Sequence, residues 1–291
     1  FNDKELGSYL GENDYILSSA NSINIGRLIP QIVYYFYTYL TLLRKGELKK
    51  GEKINIVVPT GNFGNILAAY YGKEMGLPIN KLICASNENN ILSDFINTNI
   101  YDRRRELILT SSPSMDILIS SNLERLLFHL SGEDDRLIKE KMNQLSNNGY
   151  YEMVDLDMTD FYGDFSTEEE VHWTINKVFN NSKYLMDPHT AVAYNVYEKY
   201  KMKTKDNTKT IIGSTASPFK FGNKVATAIG IDIKNKDEFS ILEEIAEKAN
   251  INLPKEIRSL KDKPILHNNN CNKEAMKDMI EMFLQVGGRD D

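Results

Sequence analysis

Residues 57–76, VVPTGNFGNILAAYYGKEMG, set two glycines and two asparagines between an apolar run and a helix-period pattern. A strand that turns sharply into a helix aims successive backbone N–H groups at one point, with the positive end of the helix behind them. That is a concave site for an anion. Gly61 and Gly64 allow positive φ and close approach of the backbone to a ligand, while Asn62 and Asn65 tolerate left-handed conformations and offer amide donors. Phosphate is the expected occupant. The turn fits neither the GxGxxG nor the GK[ST] template, so it gives no support to NAD or ATP, and glycines in such a place can also serve only to turn the chain.

A second constellation precedes it. SSANSINIGRLIPQ, residues 18–31, places Ser19, Asn21, Ser22, Asn24 and Arg27 ahead of the most apolar stretch of the chain. Ser22 or Asn24 could cap the helix that follows, and Arg27 could sit on its solvated face. A cation in the first turn, however, opposes the helix dipole unless an anion is bound there too. Two anion sites in one domain suit a phosphorylated substrate beside a phosphorylated cofactor.

The elements that must position these residues are legible as alternating periods. KINIVVP, KLICASN and TKTIIGSTA read as strands, each followed by a helical pattern, at 65–75, 90–97 and 219–229. Such βα units predict an α/β fold with a mainly parallel sheet flanked by helices. Residues 115–203 read as a helix-rich stretch, with helices near 121–130, 133–147, 167–180 and 189–201. STEEEVHWTI, from Ser166, has the cap and acidic first turn of a helix start, and Asp187-Pro188 sets a capping carboxylate before a proline suited to the first helical position. A last helix is expected over about 273–285, stopping at Gly287-Gly288. LIPQIVYYFYTYLTLL reads as a buried helix, too short and too interrupted for the roughly 20 residues of a membrane span.

Composition bounds the function. A net charge of -6 over 291 residues, with the run Arg103-Arg104-Arg105 answered at once by Glu106, argues against a nucleic-acid surface. Cys84 and Cys271 are far apart and outside any CxxC pattern, which points to a reducing, cytoplasmic setting without disulfides. His129, His172, His189 and His267 are scattered without HxH or HxxxH spacing, so no metal is expected.

SANSIN followed by Arg27 and Gln31, then PTGNFGN, then DPHTAVAY at 187–194 and STASPFKF at 214–221, together resemble threonine synthase, a branch of the fold type II enzymes that use pyridoxal 5'-phosphate (PLP). The resemblance implies the large PLP-binding domain of that architecture, similar to the tryptophan synthase β chain. It implies a cofactor-phosphate cradle at Gly61, Asn62, Phe63, Gly64 and Asn65, and a hydroxyl at Thr215 for the pyridine nitrogen. Asn21 and Arg27 would hold the phosphate of O-phosphohomoserine, which the family converts with water into threonine and phosphate. His189 lies in a family motif to which the residues themselves assign no role.

The lysine that carries the cofactor in this family matches no motif here. Lys4 stands in unrelated context, and Lys220 corresponds to a different family lysine. With an opening at Phe1 in mid-pattern, the expectation is a C-terminal portion without a catalytic residue of its own: 1–20 as a remnant of the small domain, and 21–291 as the large domain with a helical insertion over about 115–203. Such a portion would be inactive alone, and apolar surface left uncovered would allow self-association. Ala216-Ser217 and Gly26 depart from the family pattern and bear on substrate positioning. Two alternatives stay open at this stage. One is a dehydratase-like fold type II enzyme, whose substrate carries no phosphate; the other is a stand-alone module for a phosphorylated metabolite.

Overall fold

The computed structural model describes residues 3–18 and 20–284. In chain order its elements are α1 (Lys4–Glu12), α2 (Ile25–Arg44), β1 (Ile54–Pro59), α3 (Gly64–Glu74), β2 (Ile79–Ser86), α4 (Ile91–Thr98), β3 (Ile100–Asp102), α5 (Leu123–Leu130), α6 (Asp135–Asn148), β4 (Tyr150–Glu152), β5 (Phe161–Phe165), α7 (Glu168–Ser182), α8 (Pro188–Thr204), β6 (Thr210–Ile212), α9 (Gly222–Ala228), α10 (Glu238–Ala249), α11 (Lys255–Arg258) and α12 (Met276–Leu284). The chain divides into two compact units, one of residues up to Asn21 together with those from Lys255 onward, the other Ser22–Pro254.

In the smaller unit Asp3 caps α1 by accepting from the Leu6 N–H at 2.9 Å, and the Tyr15 hydroxyl donates to the Leu284 carbonyl at 3.3 Å. The expected stop at Gly287-Gly288 lies outside the described residues.

The larger unit is built on a parallel sheet in the order β5-β2-β1-β6. Val57 aligns with Ile83 on one side and Ile212 on the other, and Cys84 aligns with Gly163. All six residues of β1 are buried, as a central parallel strand covered on both faces requires. Helices α3, α4 and α8 pack against this sheet. The expectation of an α/β fold with a parallel sheet flanked by helices therefore holds.

The stretch 115–203 is not purely helical. It contributes β4, and also β5 at the edge of the main sheet. Five residues are too few for a periodicity signal, and FYGDF is held in place by contact: a Cβ on Gly163 would lie 3.0 Å from the Ser93 Cα. The helix starts follow the sequence closely. Thr167, the second residue of the segment that begins at Ser166, forms a reciprocal capping box with Glu170, and Asp187 caps α8.

Helix α2 departs from expectation in one respect. Leu28, Tyr35 and Tyr39 are buried along one stripe, whereas Ile29, Val33, Tyr37 and Leu40 are 54%, 61%, 66% and 57% exposed. The helix packs on α3 along that stripe, and the residues between its repeats face outward. No helix among the described residues is long and apolar enough to cross a membrane.

At the end of the sheet where β1 and β2 begin, Asp206 accepts from Asn55 Nδ2 at 2.8 Å, Tyr200 Oη at 2.6 Å and the Thr208 N–H at 2.8 Å. Burial raises its pKa, but the bonds from Thr208, Tyr200 and Asn55 outweigh burial and hold the carboxyl well below its usual range.

Candidate functional site

The glycine turn joins the C-terminal end of β1 to the N-terminus of α3. By helix geometry the first N–H groups of α3 have no intrahelical acceptor, and no side chain caps them. Positive φ falls on Phe63, at 61°, and not on Gly61 or Gly64, which corrects one of the two reasons expected for those glycines. A left-handed phenylalanine is a strained conformation, costing on the order of 1 kcal/mol or more. The ring is held by complete burial against Phe161, with centroids 6.1 Å apart.

The glycines are required by close approach instead. A Cβ on Gly61 would sit 2.5 Å from the Ser114 carbonyl oxygen, and one on Gly64 would sit 2.6 Å from Ser22 Oγ. The turn is thus pressed between the 113–115 turn and the lead-in to α2. Its carbonyls are braced from behind, since the Gly61 oxygen accepts from Ser120 Oγ at 2.9 Å and the Asn62 oxygen from Asn122 Nδ2 at 2.8 Å. The first amides of α3 follow directly on this braced turn, at the C-terminal end of β1.

Asn65 behaves differently from the expectation that its amide would serve as a ligand donor. Its Nδ2 donates to Gln31 Oε1 at 3.0 Å, and its carbonyl and side-chain oxygens accept from the Tyr35 hydroxyl. Burial pushes the Tyr35 pKa far above its ordinary value, so the phenol stays protonated and remains a donor. The Asn65 side chain therefore locks α3 to α2, and only its backbone N–H is left to face a ligand.

Asn24, one of the two residues expected to do so, caps α2 by accepting from the Gly26 N–H at 2.9 Å. Arg27 lies in the first turn of that helix, exposed, and among the described residues no ion pair engages its guanidinium. It lies four residues before Gln31, on the same helix face, and Gln31 Nε2 donates to its carbonyl at 2.9 Å. Arg27 is therefore one helical turn from the residue that grips Asn65. Asn21 is exposed and falls in the smaller unit.

Thr215 is exposed just beyond β6, whose neighbour in the sheet is β1. Ser217, and not Thr215, caps the short helical turn that follows, accepting from the Phe219 N–H at 3.4 Å. Thr215 and Asn65 line one cleft of about 470 Å³, together with Gly213, Ser214, Tyr34, Tyr35, Thr38 and the end of β6. A larger groove of about 630 Å³ beside Trp173, Lys177 and Lys199 contains none of the residues singled out by the sequence. The C-terminal ends of the strands are where a doubly flanked parallel sheet places its ligand, and this cleft reaches the residues just beyond β6.

The DPHTA segment sits beside it. Asp187 is fully buried and accepts from the His189 and Thr190 backbone N–H groups, and its Oδ1 lies 3.1 Å from His189 Nδ1. Thr190 Oγ1 bonds Asp187 and reaches Ser214 Oγ at 3.3 Å, tying the head of α8 to the residue before Thr215. The His189 ring packs on Phe221 at 4.9 Å, and its Nε2 has no partner among the described residues. Lys220 is exposed, with its amine 5.7 Å from the Phe221 ring centre.

Sequence reasoning missed Asn122 and Arg125 at the head of α5. Asn122 donates to Ser22 Oγ at 2.9 Å as well as to Asn62, while Arg125 donates to the Ser22 and Ile23 carbonyls at 3.1 and 2.7 Å. They lie about 60 and 100 residues from the segments they hold, a separation at which no local pattern signals contact.

Residues 190–280 match the family model described as "Threonine synthase, C-terminal". The human protein named threonine synthase-like 1 is 45% identical over 83% of this chain and 33% of its own length. Threonine synthase of Saccharomyces cerevisiae is 39% identical over 79% of this chain and 46% of its own length. Among solved structures, the PLP-bound threonine synthase of Brucella melitensis superposes with a TM-score of 0.77 at 33% identity, covering 100% of this chain and 56% of that one. The yeast threonine synthase structure gives a TM-score of 0.77 at 34% identity over 94% and 55%. The chain thus spans from about a third to about half of the length of these relatives.

A parallel sheet whose strand ends bear a glycine-asparagine turn on one side and a serine-threonine segment on the other defines the fold type II architecture. Within that class, residues 190–280 match the C-terminal domain of threonine synthases, and the chain as a whole is similar to threonine synthases over about half of their length.

Proposed function

We propose that this chain forms the cofactor-phosphate cradle and the substrate-phosphate end of a threonine synthase site, serving the PLP-dependent conversion of O-phosphohomoserine and water into threonine and phosphate. The observation that carries the reading is the pairing of an uncapped helix start with a free hydroxyl: α3 opens at the end of β1, and Thr215 lies across the same cleft at the end of β6. The donor set suits a phosphorylated, neutral-ring cofactor. Backbone N–H groups of Gly64, Asn65 and Ile66, backed by the helix dipole, would hold its phosphate without any charged side chain. The Thr215 hydroxyl would meet the ring nitrogen with a neutral hydrogen bond that does not force protonation. When bound, PLP supplies an electron sink for carbanion character on the substrate.

Arg27, in the first turn of α2, would pair its planar fork with two oxygens of the substrate phosphate and stabilise charge as that group departs. No lysine is among the residues lining the cleft. The proposal therefore assigns this chain binding and positioning, with no turnover by the chain alone, in a reducing cytoplasmic setting. The test is titration with PLP and O-phosphohomoserine, combined with a phosphate-release assay. Arg27→Ala should lower affinity for O-phosphohomoserine by at least about tenfold, the equivalent of one charge-assisted contact, and leave PLP affinity unchanged. Equal affinity for O-phosphohomoserine in the variant would favour a dehydratase-like enzyme instead, and phosphate release by the chain alone would refute the assignment of binding without turnover.

A further inference from the structure

We propose that Asn122 is a positioning residue that couples the two anion sites, fixing the distance between Arg27 and the amides at the start of α3. The inference rests on the two-site reading above. Asn122 is a fully buried amide between two segments that are remote in sequence. One Nδ2 hydrogen goes to Ser22 Oγ at 2.9 Å, in the lead-in to α2, and the other to the Asn62 carbonyl at 2.8 Å, in the glycine turn. Its Oδ1 accepts from Arg125 Nη1, and that guanidinium also donates to the Ser22 and Ile23 carbonyls. Every polar atom of the side chain is thus engaged, with the two donors divided between the two sites.

The fit excludes close substitutes. Aspartate can accept but cannot donate, so it would set a carboxylate oxygen against the Asn62 carbonyl. Contact reinforces the bridge, because Gly64 has no Cβ at the point where Ser22 approaches: an added carbon there would lie 2.6 Å from Ser22 Oγ and 3.4 Å from Asn122 Nδ2. The turn and the α2 lead-in therefore move as one piece. Ligands that engage the amides of α3 and the guanidinium of Arg27 together meet a preset spacing, which lowers the ordering cost of binding.

The experiment titrates wild-type protein, Asn122→Ala, Ser22→Ala and Leu145→Ala with PLP, and with O-phosphohomoserine in the presence of PLP, and records urea unfolding for each. Leu145 is a buried residue of α6, an element that includes neither segment, and its variant controls for loss of stability alone. Asn122→Ala should weaken O-phosphohomoserine by about tenfold and PLP by about threefold, the typical worth of one buried hydrogen bond. The smaller figure reflects the Asn122 backbone N–H, which still donates to the Asn62 carbonyl at 3.2 Å. Ser22→Ala should weaken O-phosphohomoserine and spare PLP, and Leu145→Ala should spare both. Should the wild type bind neither ligand, the two-site reading fails and the coupling with it. Binding of both ligands by the wild type, with either affinity unchanged in Asn122→Ala, overturns the coupling alone. If Asn122→Ala does not fold, Ser22→Ala decides the matter: unchanged affinity for O-phosphohomoserine overturns the proposal.

Discussion

The same substitution, glycine to alanine, should have opposite signs at two positions 11 residues apart, and the contacts give the reason. At Gly61 an added Cβ would lie 2.5 Å from the Ser114 carbonyl oxygen and 3.2 Å from the Met115 Cα, both main-chain atoms of a hydrogen-bonded turn. Ordinary carbon contacts begin at roughly 3.5 Å, so about 1 Å of displacement is demanded of a backbone that cannot rotate out of the way. Overpacking of this kind costs about 1–3 kcal/mol. Because φ at Gly61 is not positive, alanine also restricts the unfolded chain, which returns about 0.4–1 kcal/mol. Gly61→Ala should therefore destabilise by about 1–2 kcal/mol. At Gly72, inside α3, the nearest atoms to an added Cβ are Leu77 Cδ2 at 3.7 Å and Phe36 Cε2 at 3.8 Å, an ordinary contact distance. There helix propensity decides, and Gly72→Ala should stabilise by about 0.5–1 kcal/mol. Urea unfolding of the two variants against wild type reads both signs as shifts in midpoint at constant slope. A Gly61→Ala protein as stable as wild type would show that the turn is not pressed against residues 113–115, and would remove the close-approach explanation for its glycines.

Three further expectations follow from the same structure. Asp206 has its carboxyl pKa depressed in the folded state, so its contribution is complete above the unfolded carboxylate pKa of about 4 and is lost as pH falls further; Asp206→Asn should flatten the acid side of a stability-against-pH curve, and an unchanged slope would contradict the assignment. Cys271 is exposed, whereas burial pushes the Cys84 thiol up to about 12; a thiol reagent at neutral pH should therefore label one cysteine in the native protein and two in urea, and rapid native labelling of both would argue against a buried β2. Thr167→Ala removes one arm of the α7 capping box and should cost about 1 kcal/mol in unfolding free energy, with no change in the cleft's affinity for PLP.

Local periodicity makes much of this fold legible in the sequence. The strand runs of β1, β2 and β6, the helices after them and the caps at Thr167 and Asp187 all follow from patterns contained within a dozen residues. Such patterns act through the chain's own backbone, and burial then selects their faces. The glycine turn was legible for the same reason, since a strand, a tight turn and a helix start are neighbours in sequence.

Other features depended on contacts between distant segments. β5 is too short to declare itself and exists because β2 offers it a partner. Half of α2 faces outward because one stripe alone meets α3. Positive φ settled on Phe63 because a buried ring can hold a strained backbone, while Gly61 and Gly64 are needed for the atoms that approach them. Asn65 turned inward to Gln31 and Tyr35, and Asn122 and Arg125 came to brace segments about 60 and 100 residues away. The sequence alone determined the longer elements and the candidate residues for an anion, because those properties are carried by near neighbours. Only the tertiary structure decided which of those residues face the cleft and which hold it in shape, because a side chain's role depends on the atoms that packing brings against it.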